Sequence, residues 1–250
     1  MSLTGNFNGF LRKFITRIVV KNASAVTTVT QNLANAMQSH KLKNDNYVVL
    51  PNVISPGFLE QKTSEKQNTG KTNIVHVSCF EDKSKNISGM LKVIKLLADK
   101  RNDFHFTLVG DGMDFEIMKN LADKLGLGDN ELVFTGLLEG ENLVKEMNNA
   151  DALLIFSNYE NLPVVINEAF SLGVPVIATK VGGIPEVVNS KNGILIDAGD
   201  ETALLGAIEE ILDGNIKFDN TKIKEKARTD FSMNTIGKQL LKLYTNAIKH

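Results

Sequence analysis

The feature that most constrains this fold is a repeated alternation, from residue 73 onward, of short apolar strands with single helical stretches. Asn73–Ser78 (NIVHVS) reads as a strand, and 86–98 carries Ile87, Met90, Leu91, Ile94 and Leu97 at helical spacing. Phe104–Val109 is the next strand, closed by Gly110-Asp111-Gly112, with a helix over 114–125. Leu132–Thr135 precedes Gly136 and a short helix near 142–148. Ala152–Phe156 leads to a helix carrying Glu168, and Pro175–Ala178 to one opened by Pro185. A strand at Gly193–Ile196 and a helix over 201–212 follow. Strands separated by single helices require parallel pairing, right-handed crossovers and helices on both faces. The expected fold class is therefore α/β, a Rossmann-like doubly wound parallel sheet.

The first 50 residues do not make another full unit: a helix over 7–21, a strand at 25–29, a helix at 31–39 and a short strand at 47–50. Pro51-Asn52-Val53 and Ser55-Pro56-Gly57 form a turn-rich break, and 61–71 is polar and reads as mobile. Residues 221–228 and 233–250 read as two closing helices. In the first helix Arg12, Lys13, Arg17 and Lys21 lie among Phe10, Leu11, Phe14, Ile15 and Ile18. That pattern suits an ordinary domain helix or a helix lying on a membrane surface.

Composition excludes several classes. With 28 basic and 29 acidic residues the net charge is −1, so no global field points to nucleic acid. One cysteine, Cys79, leaves no internal disulfide framework and suits a reducing cytoplasm. No apolar run is long enough to span a bilayer, and no signal peptide opens the chain. Met1-Ser2-Leu3 reads as an added leader, and the chain as soluble and intracellular. Gly70-Lys71-Thr72 imitates the tail of a phosphate-binding P-loop, but Glu65 stands where its first glycine belongs. No G-x-G-x-x-G follows the first strand, which argues against a dinucleotide site. The histidines (40, 76, 105, 250) are scattered, with His76 and His105 in strands as core, and no metal-ligand cluster is present.

The chemistry concentrates between Asp151 and Asp197. Glu160-Asn161-Leu162-Pro163-Val164-Val165-Ile166-Asn167-Glu168-Ala169 is followed by Gly173-Val174-Pro175-Val176-Ile177-Ala178 and Gly182-Gly183-Ile184-Pro185-Glu186. Glu160 falls in the loop beyond the 152–156 strand, Pro163 suits a helix's first turn, and Glu168 lies further along that helix. Two carboxylates at the rim of a parallel sheet, beside a helix N-terminus that favours anions, can grip a polyol and a phosphate together.

This segment resembles the E-x7-E signature of the retaining glycosyltransferases of family 4, which have the GT-B fold. The resemblance implies that residues 1–50 are the last piece of an N-terminal acceptor domain and 51–71 a linker. Residues 72–215 would then be the nucleotide-sugar-binding domain and 216–250 closing helices, in a truncated chain. It implies that Glu168 accepts hydrogen bonds from ribose hydroxyls, since an ionised carboxylate suits a vicinal diol. Glu160 would sit by the donor sugar, and the N–H groups of Asn161 and Leu162 by its hydroxyls. Those of Val164 and Val165 would face the diphosphate. The chain departs from the commoner glycines after the first glutamate, and Pro163 narrows the backbone there. Lys85 stands at the diphosphate-binding lysine. Cys79 replaces the arginine usual six residues earlier, and Lys83 is a partial substitute; Cys79 itself reads as a buried filler.

Gly110-Asp111-Gly112 resembles the element lining the nucleotide side, although its glycines equally suit a sharp turn. The loop from Gly136 to Glu141 would hold the base, with Leu137, Leu138 and Leu143 either flanking it or in the core. The implied activity is transfer of a sugar from a UDP- or GDP-sugar donor to a glycan or lipid-linked acceptor, with retention and no metal. It would occur in the cytoplasm, at the inner membrane face through peripheral association. Lacking the acceptor domain, the chain is expected to bind nucleotide and transfer little. The rival readings are a non-catalytic module with a degenerate site and a GT-B UDP-sugar epimerase; the motif argues against the second.

Overall fold

The computed structural model describes residues 9–60 and 70–248. The expected leader at 1–3, His250 and nearly all of the polar stretch at 61–71 lie outside the described residues. Two compact units emerge, one of residues 1–53 with 233–250 and one of residues 54–232.

The smaller unit contains α1 (Phe10–Asn22), β1 (Val26–Thr28), α2 (Gln31–Ser39) and β2 (Tyr47–Val49), with β1 and β2 pairing in parallel. Thr30 begins α2 because its Oγ1 accepts from the Leu33 N–H at 3.1 Å, satisfying one of the helix's unpaired donors. Asn44 closes α1 by donating to the carbonyls of Val20 and Ala23. Leu11, Phe14, Ile15, Ile18 and Val19 form an exposed apolar stripe along α1.

The larger unit contains α3 (Pro56–Glu60), β3 (Thr72–Val77), α4 (Asp82–Lys85), α5 (Ile87–Ala98), β4 (Phe104–Val109), α6 (Phe115–Lys124), β5 (Leu132–Gly136) and α7 (Gly140–Asn149). It continues through β6 (Ala152–Ile155), α8 (Val164–Leu172), β7 (Val176–Thr179), α9 (Ile184–Val187), β8 (Gly193–Ile196), α10 (Glu201–Leu212) and α11 (Asn220–Asp230). α12 (Met233–Ile248) groups with the smaller unit. The sheet order is β5-β4-β3-β6-β7-β8, parallel throughout. The expected doubly wound α/β class is the observed one.

Successive strand residues point to opposite faces, so a sheet covered on both sides needs apolar residues at every position. Ile74 and Leu154 join a core with Met90, Ile94, Leu97 and Ile208 from α5 and α10. Val75, Leu153 and Ile155 join the opposite core with Phe58, Val144, Ile166, Phe170 and Ile223 from α3, α7, α8 and α11. Each such side chain, fully buried, contributes roughly 1.5–3 kcal/mol.

Two short helices escape the sequence reading, α3 in the presumed linker and α4 after β3, because four or five residues are too few to display helical periodicity. α3 is core rather than linker, with Phe58 4% exposed and Ile54 0%. α11 packs against α8, and its Asn220 carbonyl lies so near Gly173 that an added Cβ there would meet it at 2.6 Å. His76 is buried as expected, but His105 is only half-buried, beside the Asn130 carbonyl at the sheet's outer side. No helix among the described residues is long and apolar enough to cross a membrane.

Candidate functional site

β3 and β6 lie side by side where the winding direction reverses, the position at which open parallel sheets form ligand crevices beyond their carboxyl ends. The loop leaving β3 enters α4, which delivers Lys85, and the loop leaving β6 delivers Glu160. Lys85 Nζ donates to Glu160 Oε1 at 2.5 Å, with the two side chains 16% and 10% exposed. Ser157, fully buried, donates its Oγ–H to the same oxygen at 2.8 Å, and its own carbonyl accepts from Thr179 Oγ1 at 2.6 Å.

α4 is anchored from three sides. Asp82 accepts from Ser88 N–H and Oγ–H at 2.7 Å each, and its own N–H donates to Asp114. Asn86 takes a left-handed conformation (φ 53°) to start α5. The N–H groups of Asn158 and Tyr159 donate to the Ser84 carbonyl, tying the two loops together.

A cleft of about 880 Å³ opens at the carboxyl ends of β3, β4 and β5. Cys79, Gly110, Gly112, Leu138 and Glu168 line it, as do Ser78 and Asp111. The Glu168 carboxylate has no hydrogen-bond or ion-pair partner among the described residues, and burial raises its pKa. Lys85 and Glu160 are outside that lining. They stand with the approach to α8, where Asn161 is exposed, Leu162 buried, Val164 exposed and Val165 buried. Pro163 is the residue before the helix rather than in its first turn, with ψ at 127°, so the N–H groups of Val164 and Val165 head the helix. Gly136 ends β5 in a left-handed conformation (φ 73°) and does not line the cleft, whereas Leu138 and Leu143 do so while packing partly on the core.

One expectation needs correction. Cys79 is exposed at the mouth of the cleft, not a buried filler; Phe80, 0% exposed, takes the core position one residue on. Lys83 is exposed, its carbonyl accepts from the Asn158 amide, and like Lys85 it lies outside the cleft lining. The two readings of Gly110 and Gly112 also separate. A Cβ at Gly110 would lie 1.9 Å from the Ser78 carbonyl oxygen, and one at Gly112 2.7 Å from Phe80 N and O. The close approach is to the chain itself, and it brings the β3 and β4 ends together.

The residues that sequence reasoning missed are Ser78, Ser157 and Thr179. Their signal is a hydroxyl residue at the end of an apolar strand; Ser78 lines the cleft, whereas Ser157 and Thr179 are fully buried behind Glu160. His76 completes the group. Its Nδ1 lies 2.8 Å from the Leu154 carbonyl and its Nε2 2.7 Å from Ser78 Oγ. Burial, with the nearby Lys85 cation, lowers its pKa from 6.5 to about 4. The unfolded imidazole therefore binds a proton that the folded one refuses between these values, and stability rises with pH across that window. From about pH 4 to 6.5 the gain should reach about 3 kcal/mol. Denaturation at several pH values checks this; a His76→Gln variant should lack the step, and an unchanged profile in that variant would refute the assignment.

Residues 58–230 match the family described as Glycosyl transferases group 1. The chain is 28% identical over 203 residues to N-acetyl-alpha-D-glucosaminyl L-malate synthase of Bacillus anthracis, covering 78% of this chain and 52% of that protein. Among solved structures it resembles sucrose-phosphate synthase of Thermosynechococcus elongatus (TM-score 0.79, 20% identity, 96% of this chain and 62% of that one). It also resembles Anabaena HepE in complex with UDP (TM-score 0.78, 21% identity, 94% and 68%). These likenesses are to the GT-B fold, and the chain spans about half the length of the curated relative. A doubly wound sheet with its crevice at the strand reversal, matched across residues 58–230, means that this chain belongs to the glycosyl transferases group 1 family.

Proposed function

We propose that residues 54–232 bind the nucleotide-diphosphate sugar of a retaining, family-4 type glycosyl transfer, and that the acceptor, a glycan or lipid-linked hydroxyl, is held mainly by groups outside those residues. The observation that carries the reading is Glu168: a half-buried carboxylate, without a side-chain partner among the described residues, lining the cleft. A carboxylate desolvated in this way gains most from ligand hydroxyls that donate to it, as the two hydroxyls of a ribose would. Gly110, Gly112 and Leu138 then border the nucleoside, with Gly136 shaping the turn, and Cys79 faces it from the β3 loop.

The diphosphate is assigned to Lys85 and the Val164 and Val165 N–H groups at the head of α8. There a fixed cation and unpaired N–H donors stabilise charge as it develops on the leaving group. In the free protein Lys85 is neutralised by Glu160. A diphosphate competes for the lysine and releases Glu160 toward the sugar, with the Asn161 and Leu162 N–H groups beside it and Pro163 setting their direction. The leaving diphosphate then takes the proton of the incoming hydroxyl on the same face, which retains configuration. The complex of HepE with UDP favours a uridine donor, with a GDP-sugar as the alternative.

Calorimetric titration with UDP, GDP, ADP and their sugar conjugates tests this. One nucleotide should saturate the protein and lose about tenfold in affinity in Glu168→Ala, while transfer to a glycan acceptor by this chain alone stays at background. Affinity for no nucleotide, or affinity indifferent to Glu168, would favour a module whose site degenerated when Cys79 took the arginine's place.

A further inference from the structure

The His76–Ser78 pair has a polarity that the positions of its atoms dictate. The Leu154 carbonyl can only accept, so His76 Nδ1, 2.8 Å away, carries the imidazole proton. A neutral imidazole with Nδ1 protonated has a bare Nε2, and the atom 2.7 Å from it is Ser78 Oγ. A serine hydroxyl owns a single proton, and here it is committed to His76. His76 is fully buried and lies just past the last paired rung between β3 and β6, Val75 with Leu153. The Leu154 carbonyl thus holds the ring, and the ring holds the hydroxyl. Ser78 lines the cleft with Cys79, Gly110 and Glu168, and its Oγ has no other partner among the described residues.

We infer that Ser78 is a preset hydrogen-bond acceptor in the cleft wall, oriented by His76, which takes a hydrogen bond from a hydroxyl or N–H of the nucleoside and disfavours a phosphate oxygen at that point. Resting on the nucleotide-sugar reading, this names Ser78 as a specificity-determining residue and His76 as the residue that positions it. A diphosphate at neutral pH offers acceptors only, so two lone pairs would meet with no proton between them. A ribose hydroxyl or a base N–H supplies that proton. The consequence is a register for the donor, with the nucleoside against β3 and β4 and the diphosphate displaced toward Lys85 and α8.

Nitrogen-15 spectra of the imidazole in the unmodified protein test the polarity. Nδ1 should be protonated and Nε2 bare at neutral pH, and the Nε2 resonance should shift in Ser78→Ala. A proton on Nε2 would overturn the inference. Titrations with UDP and with inorganic pyrophosphate test the selectivity. Ser78→Ala should weaken UDP about 5- to 10-fold, one neutral hydrogen bond, and leave pyrophosphate unchanged or tighter. In His76→Phe the freed Ser78 proton should tighten pyrophosphate severalfold, and adding Ser78→Ala should remove that gain. Equal losses for both ligands, or none for UDP, would overturn the inference while the nucleotide reading stands. A parent protein that ignores every nucleotide would overturn the nucleotide reading and the ligand assignment together, and the imidazole spectrum would still decide the polarity of Ser78.

Discussion

Lys85→Ala is expected to weaken nucleotide-diphosphate binding by about 10- to 100-fold, the range of one or two charge-assisted hydrogen bonds. In a full-length enzyme it should lower transfer by about 10²–10³-fold. The same change has a second consequence in the free protein. Glu160 is 10% exposed, and without Lys85 its carboxylate keeps, among the described residues, only the Ser157 hydroxyl. Orphaning a fully buried charge costs about 3–5 kcal/mol; this pair meets water at its edge, so a loss of about 1–2 kcal/mol is expected. The two effects separate by a second substitution. Glu160→Gln in the Lys85→Ala background removes the unpaired charge, so denaturation should recover while diphosphate affinity stays low. Affinity within twofold of the parent in Lys85→Ala would remove the lysine from the diphosphate site.

Gly182→Ala should be the most damaging single methyl in the β7–α9 turn. Gly182 adopts φ 56°, and a Cβ there would lie 2.0 Å from the Glu160 carbonyl oxygen and 2.7 Å from that of Asn161. Both obstacles are backbone, and Asn161 O also accepts from the Gly183 N–H at 2.6 Å, so the loop carrying Glu160 must move as a whole. A cost of about 3–4 kcal/mol follows from clash plus left-handed strain, on the order of 10 °C in melting temperature for a unit of this size. Gly199→Ala supplies the control: its φ is 76°, but no atom lies within 4 Å of the added Cβ, so only the conformational penalty of about 1 kcal/mol applies. Equal melting temperatures for the two variants would show that the contact with the Glu160 loop does not matter.

The order and type of the long elements were legible in the sequence because strand and helix periods are local. Phe104–Val109, Gly193–Ile196, Gln31–Ser39 and Glu201–Leu212 occur at the expected residues. The domain edges were less legible. α3 and α11 belong to the larger unit because Phe58 and Ile223 reach its core, which no local pattern announces. Among candidate site residues, motif spacing singled out Glu160, Glu168 and Lys85. It did not show that Lys85 and Glu160 form an ion pair apart from the cleft that Glu168 lines, because residues 75 positions apart meet only through sheet order.

The amino-acid sequence by itself determined a parallel, doubly wound sheet and which strand ends would carry chemistry, since burial on both faces demands continuous apolar strands and leaves polar residues for the loops beyond them. Only the tertiary structure decided what those residues do to one another. Placing β3 beside β6 directs the imidazole of His76 to a carbonyl of β6, which assigns the Ser78 proton. It also exposes Cys79 where a filler was expected and sets Glu160 against Lys85. Proton positions and charge pairs depend on distances of about 3 Å, and sequence spacing does not specify them.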